Sequence, residues 1–329
     1  MIAPNRIKFQ KIFSNELNIP DLIMECAFDS DNSEVSTYLN RESVSVESYD
    51  GRRNNTIGYK YNERFSPRFT FMKNGFGDFD SYELRAVLKW LTSSDTPTLL
   101  DVYYDDSNVI EFSAIGNWTD ISSYKLANSR TVAVVATFES IHPFALSDLY
   151  TATKIISSAT DNKITIDIDT DDNKPVYPRI KINHRGAVVN IPEGTTLNAL
   201  SDMVENTVYF NGTTYYWKTA PSTDEIYFNK STTKPNIEST SIRLRNTHTD
   251  FFNVSKTFDA VVVKNNTNTE EIVLDGANKI VSSNSERRIF GDDFNLQWLE
   301  LYDGKNTIAI EGNCEITLEW RTAIKCGEY

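Results

Sequence analysis

The chain has 329 residues, of which 40% are hydrophobic, 24% charged and 12% aromatic, with a formal charge of −13. That length holds two average domains or one large β-rich one, and the apolar fraction rules out a disordered chain. With 46 acidic against 33 basic residues and no segment that concentrates Lys and Arg, the composition argues against direct nucleic-acid recognition through phosphates.

The start, MIAPNRIKFQ, lacks the apolar stretch of a secretory signal, and no apolar run approaches the roughly 18 residues of a membrane span, so membrane insertion is not expected. Cys26, Cys314 and Cys326 are too few and too scattered for a disulfide framework or a tetrahedral metal site. They read as buried or inert thiols of a protein made in a reducing cytoplasm.

In chain order, Val44–Tyr49 alternates apolar and polar residues and ends at the Asp50-Gly51 turn signal. Arg64–Met72 reads as a second strand, with Pro67 marking an edge or a bulge. Between them Arg52 to Lys60 is polar and turn-rich, which suits an exposed hairpin arm. Asp80 and Glu83 form a capping box ahead of Leu84, Val87, Leu88 and Leu91, an apolar stripe at i, i+3, i+4 and i+7. This predicts one helix, stopped by Ser93 to Pro97, with Arg85 and Lys89 outside. Strands follow at Leu99–Tyr104, Val109–Phe112 and Arg130–Phe138. His142 to Ser147 breaks the pattern and marks a domain edge.

Beyond it, short strands alternate with turns: Lys163–Ile168, Pro178–Ile182, Asp259–Val263, Glu271–Gly276, Asn306–Ile310 and Glu315–Trp320. That spacing indicates a β-sandwich. A stretch of about 198–247 looks inserted. It opens with a short, helix-like piece over Leu197–Val204 and continues in aromatic, hairpin-like runs at Val208–Phe210, Tyr215–Trp217 and Ile226–Phe228. The fold class is therefore mainly β with one α-helix (α+β), in two domains, 1–148 and 149–329.

A search for chemistry finds no catalytic, cofactor or metal constellation. His142, His184 and His248 lack ligand partners at i+3 to i+5, and no nucleophile elbow, zinc helix or phosphate loop is present. Asp105-Asp106, Asp171-Asp172 and Asp292-Asp293 are adjacent pairs, whose side chains diverge on a strand. They read as turn residues. Asp167, Asp169 and Asp171 could face Ca²⁺ from one strand face, but they lack the Gly and the bidentate Glu of a calcium loop, so a solvated face is preferred. Tyr215, Tyr216 and Trp217 are candidate glycan-stacking residues. The competing reading has alternate members filling a small core while Tyr216 covers its rim.

The order of several segments resembles the distal tail protein (Dit) family of siphophages. In the first domain these are the strand Arg68–Phe71, the helix Glu83–Leu91 with its Trp90-Leu91 end, Leu100 to Asp106, and the aromatic run Thr137–Ala145 into Pro143-Phe144. In the second they are Ile272–Gly276, Asn295–Leu299, Asp303–Thr307 and Ile316–Arg321. The resemblance implies an N-terminal β-sandwich-like ring domain with a helix and a hairpin arm. It also implies a C-terminal galectin-like β-sandwich, from which the insertion departs.

By the same resemblance, the chain is a non-enzymatic virion structural protein of the tail tip or baseplate, assembled in the host bacterial cytoplasm. It would form a homo-hexameric ring joining the major tail tube protein to the tail-associated hub or lysin protein. Its outward domains would hold a receptor-binding protein. The arm residues Arg52, Arg53, Tyr59 and Lys60 are then candidate ring contacts. The alternative is a carbohydrate-binding module that attaches the virion to host cell-wall glycans through Tyr215, Tyr216 and Trp217. A β-sandwich glycoside hydrolase stands third, with no carboxylate pair marked for it.

Overall fold

The computed structural model describes residues 4, 6–27, 41–47, 54–61, 64–103, 108–126, 130–156, 161–184, 188–203, 208–219, 227–233, 235, 241–265 and 270–325. The chain divides into two compact units, Met1–Asp148 with Ala323–Tyr329, and Leu149–Thr322. Strands dominate both, and the described residues contain a single α-helix.

The first unit is built on one large antiparallel sheet. Its main path runs Ile12–Phe13, Arg6–Phe9, Thr98–Tyr103, Phe112–Lys125, Thr131–Ser140, Arg68–Lys73 and Leu22–Ala27. Ala145–Leu146 pairs with Phe112–Lys125 on one side and with the terminal strand Ala323–Ile324 on the other. Arg6–Phe9 and Thr131–Ser140 are three steps apart, about 14 Å on a flat sheet. Yet the Phe9 and Phe138 ring centroids lie 6.1 Å apart. The sheet therefore curls until its concave face packs on itself. Trp118 fills the centre, edge-on to Phe9, Phe69, Phe71 and Phe138 at 5.1–6.0 Å. Such edge-to-face packing suits the ring quadrupoles. Gly116 permits the closest strand approach, since a Cβ there would meet the Glu139 carbonyl oxygen at 2.0 Å.

The helix forms where the capping box predicts it, over Ser81–Leu91. The Asp80 carboxylate accepts from the Tyr82 and Glu83 amides, and Glu83 accepts from the Asp80 amide. The apolar stripe is rotated from the expected one. Trp90 is 4% exposed and Leu88 37%, so Val87, Trp90 and Leu91 face the core. The reason is size and reach: the indole packs on Phe9 and Phe71 and donates to the Phe9 carbonyl. The expected strand at Val109–Phe112 is also corrected. The strand begins at Phe112 and runs to Lys125, with a register shift between Thr119 and Ser122.

In the second unit two five-stranded sheets face each other. One orders Tyr150–Ile156, Cys314–Trp320, Arg179–His184, Glu271–Asp275 and Ile280–Ser283. The other orders Lys163–Ile168, Gly304–Glu311, Ser241–Thr249 and Ser255–Thr257, with Val261–Lys264 also on Ser241–Thr249. Period-two alternation aims Ile164, Ile166 and Ile168 inward from one sheet. Ile180, Ile182, Ile316 and Leu318 face them from the other, closing a continuous aliphatic core. On the outer face Glu319 accepts from Arg179 at 2.8 Å and from Lys181 at 2.9 Å.

A separate four-stranded sheet, Val188–Asn190, Val208–Phe210, Tyr215–Thr219 and Tyr227–Ser231, carries its own small core of Met203, Tyr209 and Tyr216. The expected insertion of about 198–247 is corrected at both ends. The extra sheet begins at Val188, while Ser241–Thr249 is a sandwich strand with Ile242 and Leu244 fully buried. The helix-like piece at Leu197–Val204 is a single 3-10 turn, Leu200–Asp202.

Candidate functional site

The described residues hold no cluster of three or more His, Cys, Asp or Glu side chains able to bind a metal ion. Cys26 and Cys314 lie buried in the two cores, and Cys326 is outside the described residues. Asp167, Asp169 and Asp171 are solvent-exposed, while Asp293 accepts from the buried Arg288 at 3.0 Å. Asp105-Asp106 lies outside the described residues.

The aromatic run of the inserted sheet is split by strand alternation. Tyr216 is 5% exposed and faces the small core opposite Tyr209, with Phe228 beside it. It is therefore a core residue and neither a rim nor a stacking residue, which corrects both readings of that side chain. Tyr215 and Trp217 take the other face and stay half-buried. Phe210 stacks on Tyr215 with centroids 4.3 Å apart and planes 24° from parallel. The turn between them is pinned by Asn211, whose Oδ1 accepts from the Thr213 and Thr214 amides.

The arm is a two-stranded hairpin, Arg41–Glu47 against Asn54–Tyr61, with a bulge between Val44 and Ser45. Lys60 is exposed and pairs with Glu42 at 3.0 Å. Arg52 and Arg53 lie outside the described residues, as does the Tyr59 side chain. Among the described residues, no other strand pairs with this hairpin.

Two features escape a sequence-only reading. The first is a cleft of about 290 Å³ in the second unit, lined by Tyr177, Asn246, Phe258, Lys279, Trp298 and Glu300, among others. The Tyr177 hydroxyl donates to Glu300 Oε1 at 3.0 Å and the Tyr302 hydroxyl to Oε2 at 2.6 Å. Burial and the Glu300 carboxylate push the Tyr302 phenol up to about 12 and raise Tyr177, so both stay donors. The Lys279 ammonium sits 3.2 Å from the Tyr177 ring centroid and 5.3 Å from that of Trp298. Burial lowers its pKa, and the charge of Glu300 opposes the shift. Asn246 donates from Nδ2 to the Glu300 carbonyl and to Asn306 Oδ1, which leaves its buried Oδ1 without a donor. These residues come from five separated stretches, so no spacing motif marks them.

The second feature is the tip of the hairpin joining Ser241–Thr249 to Ser255–Thr257. Phe251 is 93% exposed and Phe252 81%, with their rings edge-to-face at 5.7 Å. Asp250 Oδ1 accepts from the Phe252 and Val254 amides, and Asn253 adopts φ 61°. The turn thus holds two large apolar side chains in solvent on a fixed backbone. Two adjacent phenylalanines between Asp250 and Asn253 were a visible signal, since turns seldom carry such pairs.

Residues 13–140 match the family model described as a phage tail protein N-terminal domain, and residues 203–320 match that of a phage tail C-terminal domain. No curated protein matches the chain. Among solved structures it is similar to the Dit (gp 19.1) protein of phage SPP1, described as a paradigm of the hub adsorption apparatus in phages that infect Gram-positive bacteria. The identity is 10%, the TM-score 0.48, and the match covers 98% of this chain and 99% of that one. It is also similar to a chain of the phage P2 baseplate in its activated conformation with Ca, at 9% identity and a TM-score of 0.45, covering 99% and 100%.

Proposed function

The chain belongs to the phage tail proteins, whose two domain models together span well over half of it, and on that premise we propose that it is the structural hub of a tail tip. In this reading six copies close into a ring through the first unit. The ring joins the tail tube protein to the tail-associated hub or lysin protein, and the second unit holds receptor-binding proteins. The role is non-enzymatic and uses no cofactor, and its place is the virion tail after assembly in the host cytoplasm.

One observation carries the proposal: an N-terminal and a C-terminal phage tail domain follow each other on a single chain. The surface supports it. The arm hairpin offers edges that no other described strand covers, which suits strand pairing with a neighbour. The Phe251-Phe252 tip offers an apolar anchor for a protein pocket. Head-to-tail contacts of this kind close into a ring when the rotation per subunit allows it. Light scattering of the purified chain, with negative-stain images of the same peak, tests the reading. A molar mass near six subunits with ring-shaped particles supports it. A chain that stays monomeric both alone and with the tail tube protein overturns it.

A second reading, attachment to cell-wall glycans, is favoured by the half-buried Tyr215 and Trp217 beside the stacked Phe210. It predicts that Tyr215→Ala weakens binding of the full chain to host wall glycans without unfolding the inserted sheet. Unchanged glycan retention would remove it.

A further inference from the structure

We propose that the cleft beside Glu300 is a receptor for a quaternary ammonium group, and that Lys279 occupies it in cis until such a ligand displaces it. This goes beyond the tail-hub role, which assigns no small-molecule site to the second unit.

The cleft already holds a cation. The Lys279 ammonium lies over the face of Tyr177 and within cation–π range of Trp298. Tyr177 gives its hydroxyl proton to Glu300 as a hydrogen bond, which pushes electron density back into the ring and strengthens its hold on a cation. Glu300 is fixed from both oxygens, by Tyr177 and by Tyr302, and Phe258 stacks on Tyr302 with centroids 4.9 Å apart. The wall is therefore aromatic, preorganised and backed by a carboxylate. Asp259 and Glu300 line the cleft with Lys279 as the one cationic lining side chain, so a lining vacated by that lysine favours a positive ligand over an anionic one.

Lysine is the weaker occupant of such a cage. Its ammonium is compact and strongly hydrated, and burial beside the rings works against its charge. A quaternary ammonium spreads its charge over methyl groups and loses less hydration on entering an aromatic cage. Lys279 is also held at φ 57°, a left-handed conformation that lysine seldom adopts, in the turn before Ile280–Ser283. The residue as a whole is exposed, with only its ammonium end laid against the rings. The cleft volume of about 290 Å³ compares with roughly 30 Å³ for a water-sized group, so a ligand larger than one ammonium fits.

The test is a titration of the full chain with choline and with tetramethylammonium at constant ionic strength, followed by calorimetry and tryptophan fluorescence. The controls are sodium and 3,3-dimethylbutan-1-ol, the uncharged analogue of choline. Lys279→Asn removes the internal competitor while suiting the left-handed backbone. Choline is expected to bind this variant about tenfold more tightly than the wild type, and the uncharged analogue is expected not to bind. Tyr177→Leu in the Lys279→Asn background should abolish the gain, with thermal unfolding used to confirm that the sandwich persists. Equal affinity in wild type and Lys279→Asn overturns the proposal. So does binding of the uncharged analogue as strongly as choline, or no choline binding by a folded Lys279→Asn chain. None of these results bears on ring formation, so the site and the hub reading stand or fall separately.

Discussion

His184 ends the strand Arg179–His184 with its ring in the sandwich interior, and burial drives its pKa from 6.5 down to about 4 against the opposing charge of Glu270. The folded chain thus keeps this imidazole neutral, while the unfolded chain protonates it below about pH 6.5. Protons bind the unfolded state preferentially, so stability falls as pH drops through 6.5 and the loss levels off near pH 4. From pH 7.5 to 5 this group removes about 2 kcal/mol, a lowering of roughly 4–8 °C in Tm for a unit of this size. Glu319 acts in a separate, more acid window. Burial raises its pKa, but hydrogen bonds from Lys181 and Arg179 outweigh that and hold it below 4.5, so its contribution is lost only under that value. Burial also lowers His142 in the first unit, so the assignment needs a variant. His184→Gln should flatten the slope of Tm between pH 7.5 and 5 in the second unit, whatever it does to Tm itself. An unchanged slope would place the proton uptake elsewhere.

At the scale of elements, local chemistry decides what can be foreseen. The helix was legible because its signals lie within a dozen residues: Asp80 and Glu83 satisfy each other's backbone, and a stripe follows. Asp80→Ala removes the acceptor for two amide donors and should cost about 1 kcal/mol, seen as a lower urea midpoint with an unchanged slope. The choice between Leu88 and Trp90 was not legible, because both sit within one turn of the stripe and only the partners Phe9 and Phe71 favour the indole. Lys163–Ile168 was legible to the residue, since its alternation meets a core on one side and water on the other. Ser241–Thr249 was hidden for the opposite reason: the same alternation serves a sandwich strand or a surface hairpin, and only its pairing with Gly304–Glu311 and Val261–Lys264 decides. In Tyr215-Tyr216-Trp217 the alternation was visible but its phase was not. Tyr216→Ala should therefore open the inserted sheet, at a cost of about 3 kcal/mol, and expose it to limited proteolysis. Tyr215→Ala should leave the proteolysis rate within twofold of wild type. The reverse pattern would mean that the small core lies on the other face.

Over the whole molecule, the least legible fact is that the chain's last described strand belongs with its first unit. Ala323–Ile324 is too short to carry a pattern, and nothing in it names Ala145–Leu146 as its partner. The consequence is that the second unit is bracketed in sequence by pieces of the first, Met1–Asp148 before it and Ala323–Tyr329 after it. Ile324 packs against the core built around Phe9, Phe69 and Phe138, so ending the chain after Thr322 removes both a strand pairing and part of an apolar contact from the first unit. The expected loss is about 2 kcal/mol, combining partial burial of one isoleucine with a short ladder. The second unit keeps all its strands, from Tyr150–Ile156 to Cys314–Trp320. Calorimetry of the truncated chain should therefore show one transition lowered by several degrees and the other unmoved. Expressing residues 149–322 alone identifies the unmoved transition as that of the second unit. If truncation instead lowers that transition, or both together, the terminal strand is not the separate support of the first unit that its pairing indicates. If only the first transition moves, the proposed ring predicts that the truncated chain also assembles less well at equal concentration, because in that reading the contacts are made by folded first units.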